Sequence, residues 1–187
     1  VKKVVGKDHV EKVIIAKVDD KLNYVPDSEM EFECDTLILS VGLVPYNIIL
    51  EDIGTKMSST RGAYVDENYQ TSVPGIFACG NALHVHDLVD YVSEESVLAG
   101  LGAARYLKGE LNNEGAVTVT KNGNGVSYVV PQEYRLDNIE DNIVFKFRVR
   151  KPYSGVRLVI KADGEIIKNM VKPHLLPAEM ETIKLPK

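Results

Sequence analysis

The hydrophobic patterning of this chain changes in kind across a polar stretch, Lys108 to Gly115, that contains two glycines. Before it, strand-length apolar runs alternate with helical spacing. Val92, Val97, Leu98, Leu101 and Ala104 recur at three-to-five-residue steps between Asp90 and Leu107, and Lys108-Gly109 provides a stop, which predicts a helix. After it only two-residue alternation remains. Val117–Thr120 and Val126–Val130 flank Lys121-Asn122-Gly123-Asn124-Gly125 and predict one hairpin. Val156–Ile160 and Glu165–Ile167 flank Ala162-Asp163-Gly164 and predict a second, with Val144–Arg150 and Glu179–Leu185 as further strands. The first part therefore reads as α/β and residues 116–187 as a small all-β sandwich.

Other strands are expected in the first part at Val13–Val18, Thr36–Gly42, Gly62–Asp66 and Gly75–Gly80, with a short helix over Asn47–Ile53. Thr36–Gly42 has the nearly continuous apolar character of a strand buried on both faces. Charge divides at the same place as period: residues 1–115 carry 10 Lys+Arg against 19 Asp+Glu, and residues 116–187 carry 12 against 8. The net charge of −5 offers no basic excess to answer a phosphate backbone, so nucleic-acid binding is not expected. No apolar run reaches the ~20 residues of a spanning helix. Two cysteines, Cys34 and Cys79, make neither a disulfide framework nor a C-x-x-C redox pair. No signal peptide or targeting tail is recognisable, which makes the cytoplasm the expected compartment. The chain starts at Val1, on an extended segment, and is expected to be a piece of a longer polypeptide.

The most informative motif is Thr71-Ser72-Val73-Pro74-Gly75-Ile76-Phe77-Ala78-Cys79-Gly80-Asn81, with a helix about ten residues on. A Pro-Gly turn launches a short apolar segment that ends at a glycine, where backbone can approach a ligand, and then at a small polar residue. This motif resembles the second flavin-binding motif of the pyridine-nucleotide-disulfide oxidoreductase-like flavoproteins, which have two dinucleotide-binding domains. Cys34–Asn47 is similar to the strand and turn by which that family's chain returns from its NAD(P) domain to its FAD domain. The resemblance covers residues from about 10 to 110. Gly80–Asp90 looks like the version found in dehydrogenases of amines and amino acids.

The resemblance implies a C-terminal portion of an FAD-dependent, NAD(P)H-linked oxidoreductase. Residues 1–46 would end the NAD(P) domain, 47–112 would belong to the FAD domain, and 116–187 would be a sandwich appendage. It implies flavin contacts from Thr71, Gly80 and Asn81, and from the helix N-terminus, with the backbone N–H groups of Ser93, Glu94, Glu95 and Ser96 as donors. Asp87, Asp90, Glu94 and Glu95 are otherwise read as solvated acids that complement the helix dipole. Asn81 stands where the family usually has an acid, and no G-x-G-x-x-G turn follows a strand anywhere in the chain. The fragment alone is therefore expected to be inactive, and no residue in it is assigned a catalytic role.

His84 and His86 are candidates for the flavin edge. They share one face of an extended segment with no third ligand in view, so no metal is expected. Lys146, Arg148, Arg150, Arg157 and Lys161 form a basic face that is either solvated or a docking surface. The docking case supports a competing reading, a non-catalytic module that binds other subunits of a dehydrogenase. An incomplete doubly wound sheet leaves strand edges open, so homo-oligomers are expected.

Overall fold

The computed structural model describes residues 1–187, in two compact units, Val1–Gly42 and Leu43–Lys187. In the first unit β1 (Lys3–Val5), β2 (Lys12–Ile15) and β3 (Met30–Glu33) form an antiparallel sheet in that order. Val13 pairs with Val4 on one side and Phe32 on the other and is buried there. The strand expected over 13–18 stops at Ile15. Beyond it, Asp19 Oδ1 accepts the N–H groups of Lys21 and Asn23, both at 2.8 Å, and this turn leaves Val18 and Tyr24 in a single bridge.

Thr36–Gly42 is not a strand. The segment is irregular, and Ile38 and Val41 are 88% and 85% exposed. A strand persists only where a neighbour pairs its N–H and C=O groups, and no strand of this chain lies beside it. Gly62–Asp66 and Gly75–Gly80 likewise make only isolated bridges, Met57 with Ala63, Val65 with Thr71 and Gln70 with Phe77.

The second unit contains both helices, α1 (Ile48–Asp52) and α2 (Val89–Leu107), each close to its expected span. Glu95, Ala99 and Gly102 are the buried residues of α2, at a spacing of four and three that puts them on one face. At Gly102 a Cβ would lie 2.2 Å from the Asn68 carbonyl oxygen, so only glycine allows this approach. The face packs on Ala63, Val65, Tyr69, Ala78 and Leu83, and Val130 from the basic half completes the cluster.

That half contains β4 (Val117–Val119), β5 (Val126–Val130), β6 (Glu133–Arg135), β7 (Asn142–Val149), β8 (Tyr153–Ala162), β9 (Glu165–Leu175) and β10 (Glu181–Pro186). The hairpin expected across Lys121–Gly125 does not form. β4 pairs with β6, and β5 with β7 in a sheet ordered β10-β7-β5. β5 has apolar neighbours on both faces, since Tyr128 and Val130 meet the first core and Val129 a second one. The expected β8–β9 hairpin does form. Asp163 and Gly164 both have positive φ, 49° and 88°, as a two-residue turn of this hand requires. The second core gathers Ile143, Phe147 and Val149 of β7, Ile183 and Leu185 of β10, and Val156, Leu158 and Ile160 of β8.

The boundary expected at 112–116 is not a seam between bodies. Val65 N–H donates to Gln132 Oε1 at 2.9 Å and Gln132 N–H to the Val65 carbonyl at 3.1 Å. Glu67 accepts from Asn138 Nδ2 at 2.8 Å and Arg135 N–H at 3.0 Å, and Asn112 N–H donates to Asn138 Oδ1 at 2.7 Å. Polar residues in the stretch thus pin it instead of freeing it. Two outcomes follow from the shared core. A protease cut between Gly109 and Gly115 should leave both pieces co-eluting on a sizing column under native conditions. Val130→Ala should cost about 2 kcal/mol in urea denaturation, the lost transfer energy plus the cavity.

Candidate functional site

The site is built where the chain leaves its extended segment. Cys79 is extended, Gly80 turns at φ +64°, and Gly80–Ala82 makes one 3-10 turn, with the N–H groups of Leu83 and His84 both donating to the Gly80 carbonyl. A Cβ on Gly80 would be strained at that φ and would sit 3.0 Å from Val92 Cγ1. Asn81 Oδ1 then accepts the His86 N–H at 3.0 Å, and this bond bends the 81–86 loop back on itself.

The loop delivers His84 and His86 to Glu95 on the second turn of α2. The three side chains are essentially sealed from solvent. Glu95 Oε2 receives His84 Nε2 at 2.9 Å and Lys146 Nζ at 2.9 Å, while Oε1 receives His86 Nε2 at 3.1 Å and the Gly80 N–H at 2.7 Å. Burial alone would push this carboxyl up. Hydrogen bonds from both imidazoles and from the Lys146 ammonium outweigh that and hold it well below the usual carboxylate range. Burial also pushes His84 below its ordinary value, against the pull of Glu95. The cluster is thus a carboxylate–ammonium pair with a neutral His84 that donates its Nε2–H. The Nδ1 atoms of both histidines are buried with no hydrogen-bond partner.

A second polar anchor lies beside the first. Arg148, two residues from Lys146 on the same face of β7, donates to Asp87 Oδ1, to the Val85 carbonyl at 2.8 Å, to Tyr128 Oη at 3.2 Å and to the Pro177 carbonyl at 3.2 Å. Asp87 Oδ2 accepts the Met180 N–H at 2.7 Å. His84, Tyr128 and Arg148 line a shallow cleft of about 320 Å³ with Thr60 and Arg61.

The basic strand is therefore not simply a solvated face. Lys146 and Arg148 turn inward onto acids of the other half, and only Arg150, Arg157 and Lys161 stay exposed. Glu95 is no solvated acid either. Its neighbours Ser93, Glu94 and Ser96 are exposed. The expected donor set moves as well. Because α2 starts at Val89, N–H groups from Val92 onward bond within the helix, and the free ones belong to Leu88–Tyr91. Thr71 is buried and its Oγ1 bonds locally to Val73, accepting its N–H and donating to its carbonyl, both at 3.2 Å. Gly80 and Asn81 flank the cluster. The third group that the H-x-H pair lacks in sequence is Glu95, eleven residues beyond His84 and brought back by the loop.

The loop before Thr71 is held by Asp66, whose Oδ1 accepts the N–H groups of Asn68 at 2.8 Å and Gln70 at 3.0 Å. Burial and then the nearby Glu67 raise this carboxyl to about 6. A carboxyl raised on folding favours the protonated state, so its contribution to stability falls as pH rises from the ordinary value of 3.8 to about 6 and is constant above. Asp66→Asn keeps the acceptor and removes the charge. It should match the parent near pH 4 and exceed it by about 2 kcal/mol at pH 8, as read by calorimetry at both pH values. For the central pair, Glu95→Gln and Lys146→Met should each cost about 3 kcal/mol in urea, and the double variant less than their sum.

Part of this chain is similar to known proteins. The sequence profile of the family "Pyridine nucleotide-disulphide oxidoreductase" matches residues 2–95. The small chain of the NADPH glutamate synthase of Mycobacterium tuberculosis is 30% identical over 97 residues, 51% of this chain and 20% of that protein. An NADH oxidase of Methanocaldococcus jannaschii is 30% identical over 109 residues, 58% of this chain and 21% of its own length. The mitochondrial dihydrolipoyl dehydrogenase of Caenorhabditis elegans is 35% identical over 74 residues, 38% and 15% respectively. The chain spans about a fifth of the length of these three relatives, or less.

Proposed function

The chain belongs to the pyridine nucleotide-disulphide oxidoreductase family, and from that premise we propose that it forms the flavin-facing part of an FAD-dependent oxidoreductase that draws on NAD(P)H. The observation that carries this reading is the pairing of the Gly80 turn with the open start of α2. No side chain caps that helix. Its first N–H groups sit beside Leu88 and Val89, which are 55% and 75% exposed. Free N–H groups rimmed by apolar side chains suit the carbonyl edge of a flat aromatic ring system.

When bound, FAD supplies a ring that accepts a hydride and gains negative charge at its pyrimidine edge. The chain's own contribution is to hold donors in place for that charge. Leu88–Tyr91 present N–H groups and the positive end of the helix dipole. Gly80 lets the backbone pass close to the cofactor. Asn81 uses its Oδ1 on His86, so its amide N–H groups are left to donate, where the family's usual acid would accept. Glu95 and Lys146 sit behind this surface and fix the loop and the helix against each other.

The rival reading, a module for docking other subunits, leans on the basic strand. It has fewer residues behind it once Lys146 and Arg148 are turned inward. We place the chain nearest the amine and amino-acid dehydrogenase branch on residues 80–90, with the cytoplasm as its compartment. The bare apolar run at 36–50 supports self-association of the fragment when it is isolated.

The test is the absorbance spectrum of the natural protein at its full length. Oxidised flavin bands that bleach on adding NADH or NADPH are expected, and Gly80→Ala should weaken FAD binding at least tenfold. A full-length protein that folds and neither contains nor takes up flavin would overturn the reading.

A further inference from the structure

The cluster behind the flavin-facing surface is more elaborate than a positional brace needs to be. A lysine and one acceptor would tie β7 to α2, yet two further imidazoles converge on the same carboxylate. We propose that His84, His86 and Glu95 form a binding site for one divalent transition-metal ion of the zinc class, with Lys146 as the resident counter-charge that the metal replaces. This proposal does not depend on the flavin reading.

Geometry is the first support. One ligand atom from each of the three residues lies within 4.8 Å of the others. Tetrahedral coordination with bonds of about 2.05 Å sets neighbouring ligand atoms roughly 3.3 Å apart. His84 Nε2 lies 2.9 Å from Glu95 Oε2 and His86 Nε2 3.1 Å from Oε1, so each imidazole is already near that edge length from one carboxylate oxygen. Two neutral imidazoles and one carboxylate are also a donor set that zinc and its neighbours accept, with a fourth position left open.

The unpartnered nitrogens are a second, independent observation. Coordination through Nε2 requires each ring proton to reside on Nδ1. Neither Nδ1 is committed as an acceptor to any other group, although both are buried. Without a metal the hydrogen bonds to Glu95 hold the ring protons on Nε2, so coordination moves each proton to Nδ1, where no donor N–H stands in its way. The backbone holds both residues in place, through His84 N–H on the Gly80 carbonyl at 3.0 Å and His86 N–H on Asn81 Oδ1. Gly80 N–H on Glu95 Oε1 acts as an outer-shell bond that orients the carboxylate.

Lys146 sets the sign of the test. Its ammonium lies 2.9 Å from Oε2, where it neutralises Glu95. Adding a dication next to it would bury three positive charges against one negative, so the ammonium must retract along its four-carbon stem. Metal and lysine compete for one carboxylate. Removing the lysine charge should then tighten metal binding, the reverse of what a purely structural lysine predicts.

The measurement is a Co²⁺ titration of this chain, followed by the visible bands of four-coordinate cobalt and reversed with Zn²⁺. One equivalent is expected. His84→Gln and His86→Gln, which keep a donor for Glu95, should each weaken binding at least tenfold, with circular dichroism showing that they remain folded. Lys146→Met should bind at least tenfold more tightly, and Zn²⁺ should raise its melting temperature. Should neither the parent nor Lys146→Met develop the bands, the proposal falls. It falls equally if binding survives in the double histidine variant, because the ion would then sit elsewhere in the chain.

Discussion

One buried carboxylate organises the second unit. Glu95 is the meeting point of a turn (Gly80), a loop (His84 and His86), a helix (α2) and a strand from the far half of the sequence (Lys146). A lone carboxylate in such a place would be several kcal/mol unfavourable, so each donor offsets part of a shared desolvation cost. The consequence is mutual dependence. No one of these elements keeps its position if another moves away, and the surface around the Gly80 turn and the start of α2 inherits its shape from all four.

This dependence is possible because sheet β10-β7-β5 works on two faces. Along β7, Ile143, Phe147 and Val149 fill one core while Lys146 and Arg148 reach the opposite way, to Glu95 and Asp87. Within the second unit, Glu95 and Asp87 of the acidic half therefore meet Lys146 and Arg148 of the basic half in one electrostatic fit. A charge change that looks like a domain boundary in sequence marks an internal interface in the structure.

What could be read in advance followed from local physics. The span of α2 was legible in its apolar spacing and its Lys108-Gly109 stop. The β8–β9 turn was legible in Asp163-Gly164, where two positive φ values are needed in succession. Strand pairing was not, because Val126–Val130 can pair with any strand whose register suits it, and the choice of β7 is made by burial on both faces. Thr36–Gly42 failed for a related reason: apolar character prescribes burial, but only a neighbouring strand can provide it. The role of Glu95 was hidden among four similar acids. Its distinguishing sign was nonetheless present, since Ala99 and Gly102 lie on the same helical face and mark it as the side without room for solvent.

The irregular apolar segment has an effect of its own on how the chain behaves in bulk solution. Residues 36–50 contain no charged side chain, and Ile38, Val41, Leu43 and Tyr46 all stand open to water. Exposed apolar stretches are in general adhesive between molecules whatever the folded stability of the rest, and here only Gly42 and Pro45 interrupt an extended pairing. Colloidal behaviour is thereby uncoupled from thermodynamic stability. A substitution that strengthens either core leaves this adhesive untouched, whereas a single lysine at Val41 would place a gatekeeping charge at the centre of the run.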